Sequence, residues 1–219
     1  MYKYIILDFG NVLVKSPTND WDMTSKFLEL IDINKLNIDK FNKLLKQNRH
    51  IMDEKITTME EEYDMFTRFY NNVLSNVDYK NYDIEISKQI AYDRTYNMNK
   101  YDVFENVIDE LTKLKEKYKL LLLTDNWPCV IMYLKEHKLY NFFDKIYISS
   151  FYGYLKREKV LFDYPIKDYN IKKGEALFID DLEENLDAAQ EKGLDVLLMD
   201  RFKTIKKSKY KIINDLSNI

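Results

Sequence analysis

Cysteine, histidine, proline and glycine are all scarce in this 219-residue chain, and each shortage excludes a class of chemistry. A single cysteine, Cys129, rules out an intramolecular disulfide and a thiolate zinc cluster, and it suits a reducing cytosol. The only two histidines, His50 and His137, stand far apart, which argues against a His-rich metal site or a Ser-His-Asp triad. Four glycines, Gly10, Gly153, Gly174 and Gly193, leave no room for a P-loop or a dinucleotide fingerprint. Asp8-Phe9-Gly10 spells the kinase metal-binding triplet, but there is no His-Arg-Asp loop and no Gly-rich loop, so a kinase is excluded. Long apolar runs are missing as well. Runs such as Leu120 to Leu123 are far below bilayer length, and the N-terminal run is cut at Asp8, so neither a span nor a signal peptide is expected. No sign of charge dominates: 34 Lys and Arg against 37 Asp and Glu leave −3. Nucleic acid and anionic membranes are therefore not expected as partners. The one basic run, Lys203 to Lys211, reads as solvated surface. A cytoplasmic protein, monomeric or weakly dimeric, is the expectation.

What is present is a set of short apolar runs that stop at polar residues. Tyr4-Ile5-Ile6-Leu7 ends at Asp8, and Ala176-Leu177-Phe178-Ile179 ends at Asp180-Asp181. Such runs read as buried parallel strands whose carboxyl ends open onto a crevice, where open α/β sheets bind ligands. Carboxylates from two strand ends can converge on one hard cation, since Mg²⁺ takes oxygen ligands. The residue two after Asp8, where a second acid would be useful, is Gly10.

The grammar of the chain divides it. From about residue 102, helical stripes alternate with strands at Lys119 to Leu123, Ile146 to Ser149, Ala176 to Ile179 and Val196 to Met199. Helices are expected at 103–114, at 132–137 and, ended by Gly193, at 182–192. Another is expected at 160–169, though Pro165 argues for an interruption. Strand–helix alternation means a parallel doubly wound sheet, which the strand at Tyr4 to Leu7 must join. Residues 16–95 contain no glycine and read as a small helical bundle. Met23, Phe27, Leu28 and Ile31 mark one helix, and Asp39 caps another carrying Phe41, Leu44 and Leu45. Thr58 with Glu61 forms a capping box before a stripe of Met59, Tyr63, Phe66, Tyr70, Val73 and Val77. The fold expected is an α/β core of residues 1–15 and 96–219, with a helical insertion at 16–95.

Asp8, Thr124, Lys156 and Asp180-Asp181 all fall at strand ends or just beyond one. Each has an ordinary explanation. Asp8 can shape a turn, Thr124 and Asp181 can cap the following helices, and Lys156 in the stretch KREK can be solvated surface. Together they supply a nucleophile or ligand, a hydroxyl donor, a cation and a metal-binding pair on one sheet edge.

At that point the sequence resembles the haloacid dehalogenase-like superfamily of hydrolases. YIILDFGNVLV, LLLLTDN, SSFYGYLKREKVLF and ALFIDDLEEN stand in the family's order and spacing, with Asn185 four after Asp181 and Arg157 where a proline is usual. The insertion resembles the cap that family members carry between their first two motifs. DFGNVL is most similar to the branch containing sugar-phosphate phosphatases and the phosphatase half of soluble epoxide hydrolases. The resemblance implies a Mg²⁺-dependent phosphatase acting on a small phosphorylated metabolite through an aspartyl-phosphate on Asp8. By the same resemblance, Mg²⁺ takes the Asp8 carboxylate, the Gly10 carbonyl and an Asp of the 180–181 pair. Thr124, with Asp125 and Asn126 beside it, contacts the substrate, and Lys156 supplies fixed positive charge.

Gly10 is the departure, because phosphatases of this family usually carry a second Asp there. General acid–base help is worth about 10²–10⁴-fold, so its loss leaves three outcomes: a good leaving group, another proton source such as an insertion residue or bound water, or weak or absent phosphatase activity. Haloacid dehalogenases also lack that Asp, but have no use for a metal and leave Asp180-Asp181 unexplained. A non-catalytic binder of phosphorylated ligands is the third alternative. Asn126 and Trp127, with aromatics or His50 of the insertion, are candidate contacts to the rest of the substrate.

Overall fold

Four apolar residues, Tyr4–Leu7, form β1, and both neighbours of this strand are parallel. The computed structural model describes residues 2–80, 82–217 and 219. In chain order the elements are β1, β2 (Val14–Lys15), α1 (Ser25–Leu30), α2 (Ile38–Asn48), α3 (Met59–Leu74), α4 (Ile84–Tyr96), β3 (Asp102–Val103) and α5 (Val107–Lys115). They continue with β4 (Lys119–Thr124), α6 (Cys129–Glu136), β5 (Lys145–Ile148), α7 (Ser149–Tyr152), α8 (Val160–Tyr169), β6 (Ala176–Asp180), α9 (Glu183–Glu191), β7 (Asp195–Met199) and β8 (Ile212–Ile213). Short 3₁₀ turns lie between several of them.

The main sheet runs β5-β4-β1-β6-β7-β8, every pairing parallel. The chain winds from β1 outward through β4 and β5, then returns to the other flank at β6. That reversal puts the crevice at the carboxyl end of β1, flanked by the ends of β4 and β6. Period-two alternation fills both faces. Ile5, Leu7, Leu120, Leu122 and Ile179 pack with α5 and α6, while Ile6, Leu121, Leu123 and Phe178 pack with α8 and α9.

Helices α1 to α4 hold a hydrophobic cluster of their own, around Phe27, Phe41, Phe66, Phe69 and Tyr70. Its two chain connections to the sheet meet in a ribbon the sequence did not announce, where β2 and β3 pair antiparallel through Val14–Val103 and Lys15–Asp102. The Thr58–Glu61 capping box forms as expected. Asp39 does not cap α2; Asn37 does, and Asp39 sits in the first turn, where its charge suits the helix dipole. Pro165 does not interrupt α8: the helix runs through it from Val160 to Tyr169, with the proline buried. Among the described residues, no helix is long and apolar enough to cross a membrane.

Candidate active site

The pairing registers bring the expected polar residues to one edge. Leu7 pairs with Leu122 and Ile179, so Asp8 emerges beside the ends of β4 and β6. The Asp8 backbone N–H donates to Ile179 O at 3.0 Å, which fixes its departure angle. Lys156 comes from the turn after α7. Gly153 ends that helix at φ 75°, a left-handed conformation glycine adopts without strain, and the chain then swings back under the sheet edge. Arg157 at the usual proline position leaves this path intact.

Lys156 is 2% exposed and clasped by two carboxylates. Its Nζ lies 2.7 Å from Asp8 Oδ1 and 2.6 Å from Asp180 Oδ2. The solvated-surface reading of this residue is wrong. Asp180 is saturated: it also accepts from the Leu182 N–H at 2.9 Å and from Asn185 Nδ2 at 3.1 and 3.2 Å. Asp181 differs from its neighbour. It lines the cavity and accepts from Asn11 Nδ2 at 2.9 Å. Carboxylate oxygens of Asp8, Asp180 and Asp181 lie within 4.8 Å of one another.

Two buried acids, a half-buried third and one ammonium cannot all be neutralised by each other. Burial pushes Asp8 up to about 8 although Lys156 pulls it down, and Asp180 and Asp181 add repulsion. Burial, then Asp180, push Asp181 to about 6 against the hydrogen bond from Asn11. Burial works to lower the Lys156 pKa, but Asp180, Asp8 and Asp125 outweigh it and hold the ammonium charged. An all-oxygen cluster with this excess of negative charge fits a hard divalent cation.

Thr124 ends β4, buried and lining the cavity, and does not cap α6, which starts at Cys129 with Pro128 before it. Asp125 does more than lend backbone: its Oδ1 accepts the Lys156 N–H at 3.0 Å and so positions the lysine turn. Asn126 lines the cavity, its N–H donating to Ser149 Oγ at 3.1 Å. Trp127 is both wall and joint. Its Nε1 donates to Met52 O at 3.2 Å and its ring meets Phe66 edge-on at 4.9 Å. His50 does not reach the cavity; its Nδ1 pairs with Gln47 O at 3.0 Å.

The cavity, about 400 Å³, has a second wall that sequence reasoning missed: Trp21, Asp22, Arg49, Met52, Arg94 and Tyr101. These residues come from the insertion and its return. No strand end or motif marks them.

The fold and site have relatives. A family model described as haloacid dehalogenase-like hydrolase matches residues 20–199, starting after Asp8. A D-ribitol-5-phosphate phosphatase of Bacteroides thetaiotaomicron is 25% identical over 221 residues, covering 89% of this chain and 90% of its own. Among solved structures, the HAD-hydrolase YfnB of Bacillus subtilis bound to magnesium superposes with a TM-score of 0.72 at 15% identity, covering 99% of this chain and 96% of its own. A HAD family enzyme, BT-2542 of B. thetaiotaomicron, in complex with magnesium and inorganic phosphate, gives 0.66 at 20%, covering 94% and 98%. The L-2-haloacid dehalogenase of Xanthobacter autotrophicus, with chloropropionic acid covalently bound, gives 0.68 at 12%, covering 100% and 96%. These three share the fold, whichever chemistry they run. The chain belongs to the haloacid dehalogenase-like hydrolases.

Proposed function

We propose that this hydrolase is a Mg²⁺-dependent phosphatase of small phosphate monoesters, with Asp8 as its nucleophile. The observation that carries the reading is the meeting of Asp8, Asp180 and Asp181 within 4.8 Å, with Asp8 and Asp181 lining the cavity. A metal-free dehalogenase would have no use for Asp181 on that wall. The phosphatase relative at 25% identity supports the same choice.

Asp8 and Asp181, which line the cavity together with Gly10, would hold the cation, the Gly10 backbone supplying a carbonyl. Asp180 is engaged by Lys156 and Asn185 and serves to orient the site. When bound, the cation supplies neutralisation of charge on the phosphoryl oxygens. The remaining work falls to side chains. An Asp8 carboxylate oxygen forms a bond to phosphorus as the ester P–O bond breaks, giving an aspartyl-phosphate and an alkoxide that takes its proton from water, since Gly10 offers no acid. Water then attacks that phosphorus, returning Asp8 and releasing phosphate. Lys156 orients Asp8 and favours its ionised form against the upward push of burial, which a bound cation would also oppose, and Thr124 donates its hydroxyl to a phosphoryl oxygen. The walls from the insertion screen the reaction from bulk water, as a cap would.

The test is a panel of phosphate monoesters assayed with Mg²⁺ and with chelator, for wild type and Asp8→Asn. Phosphate release that depends on both Asp8 and the cation is expected. Activity indifferent to either would sink the mechanism, and chloride release from 2-chloropropionate in chelator would select the dehalogenase.

A further inference from the structure

The phosphatase reading uses the acidic floor of the cavity and leaves the opposite wall unexplained. There Arg94 of α4 lines the space, only 5% exposed. Its Cζ lies 4.3 Å from the centroid of the Phe66 ring, and Nη1 donates to Tyr70 Oη at 2.9 Å and to the Trp21 carbonyl. Nε is buried and donates to nothing. Among the described residues, no carboxylate comes within ion-pair distance of this guanidinium.

The acids on adjoining elements are engaged elsewhere. Asp22 takes both Nη groups of Arg49, at 3.1 and 3.2 Å, and Glu62 Oε2 takes the Cys129 N–H at 2.8 Å. A second buried cation deepens the imbalance. Lys100 donates to the carbonyl of Arg94 itself and lies 3.0 Å from Cys129 Sγ, also without a carboxylate partner. Among the described residues, Glu62 is thus the one fully buried acid beside two buried cations, and half-buried Asp22, which also acts on Arg94, is held by Arg49. Elsewhere the same molecule treats a buried guanidinium differently: Arg201 is paired in bidentate fashion with Glu110, at 3.0 and 2.6 Å.

A buried ion is costly unless paired, and the planar fork of arginine suits an oxyanion. We infer that Arg94 binds a second anionic group, a carboxylate or phosphate, on the leaving-group side of the substrate. The substrate class is then phosphate monoesters that carry an acid at their far end. The orientation, with the transferred phosphoryl at Asp8 and the acid at Arg94, rests on the phosphatase reading above.

Two pairs of probes isolate the second anion: 3-phosphoglycerate against glycerol 3-phosphate, and fructose 1,6-bisphosphate against fructose 6-phosphate. The expected kcat/KM of wild type favours the doubly anionic member of at least one pair by about tenfold or more, the scale of a charged hydrogen bond. The favoured pair tells carboxylate from phosphate. Arg94→Gln should bring the kcat/KM ratio within that pair near one, whatever it does to the two absolute rates. Parity in wild type overturns the proposal, as does an Arg94→Gln variant that slows both members equally. If Arg94→Gln does not fold, the wild-type comparison still decides. A readout free of catalysis separates this proposal from the phosphatase reading. In chelator, D-glycerate or inorganic phosphate should raise the melting temperature of wild type more than that of Arg94→Gln, and glycerol should shift the two alike. If no ester is hydrolysed, the phosphatase reading fails, and these shifts alone decide for or against the subsite.

Discussion

The indole of Trp21 lies against Gly10: a Cβ at residue 10 would sit 3.4 Å from Trp21 Cζ2 and 3.7 Å from Cη2. The space that a second aspartate would need is filled by an aromatic ring. Gly10→Ala makes ordinary contact there and should leave stability nearly unchanged. Gly10→Asp must displace the ring, and overpacking of this kind costs about 1–3 kcal/mol. We expect its melting temperature to fall and its phosphatase rate not to rise. A faster Gly10→Asp enzyme would show that the missing acid is a simple deletion rather than a replaced surface.

Lys156 is the one cation clasped between Asp8 and Asp180, and its removal strands two buried carboxylates. Breaking a buried pair costs about 3–5 kcal/mol, so Lys156→Met should show that loss in urea unfolding with chelator present. A loss below about 1 kcal/mol, the scale of an exposed pair, would mean that the clasp is not formed in solution.

Asp180 and Asp181 should part company under mutation. Asp180→Asn cuts into a network with Lys156, Asn185 and the Leu182 N–H, so it should destabilise the chelator-treated protein by about 1–3 kcal/mol. Asp181→Asn removes a carboxylate that its neighbour repels, so the same protein should unfold at or above the wild-type temperature. The thermal stabilisation given by added Mg²⁺ should vanish in Asp181→Asn. The opposite pattern would exchange the two roles.

Glu62 links the helical layer to the sheet, since its Oε2 caps α6 by accepting the Cys129 N–H at 2.8 Å. Burial raises its pKa above the ordinary carboxylate value of 4.5, outweighing the pull of Lys100, the bonds from Cys129 and the pull of Arg94. The folded state therefore binds this proton more tightly than the unfolded one. The resulting stability is complete below the unfolded pKa and is lost as pH rises through the folded one. Glu62→Gln keeps the acceptor without the charge, so its stability relative to wild type should improve from pH 4 upward, read as melting temperature against pH. A parallel pair of curves would contradict the assignment.

Much of this was legible beforehand because strand ends announce themselves. Asp8, Thr124 and Asp180 each close a short apolar run, and the parallel registers then bring them together. Lys156 was legible only by its place in a motif, since nothing local separates a clasped lysine from a solvated one. The far wall was legible only as aromatics of the insertion, without the positions that supply it. The buried positions of α4 are Ser87, Ile90, Ala91, Arg94 and Thr95, a mixture with no apolar stripe. Trp21 and Asp22 sit on a loop held by long-range bonds from Arg94 and Tyr70. Such contacts exist only after the chain has folded.

The most direct test is mass spectrometry of the Asp8 peptide after an acid quench during turnover of p-nitrophenyl phosphate in ¹⁸O water. The account predicts a phosphoryl group on Asp8 that requires Mg²⁺, is absent from Asp8→Asn, and leaves the carboxylate unlabelled. Oxygen-18 in the Asp8 carboxylate after turnover, or phosphate release undiminished in Asp8→Asn, would contradict it.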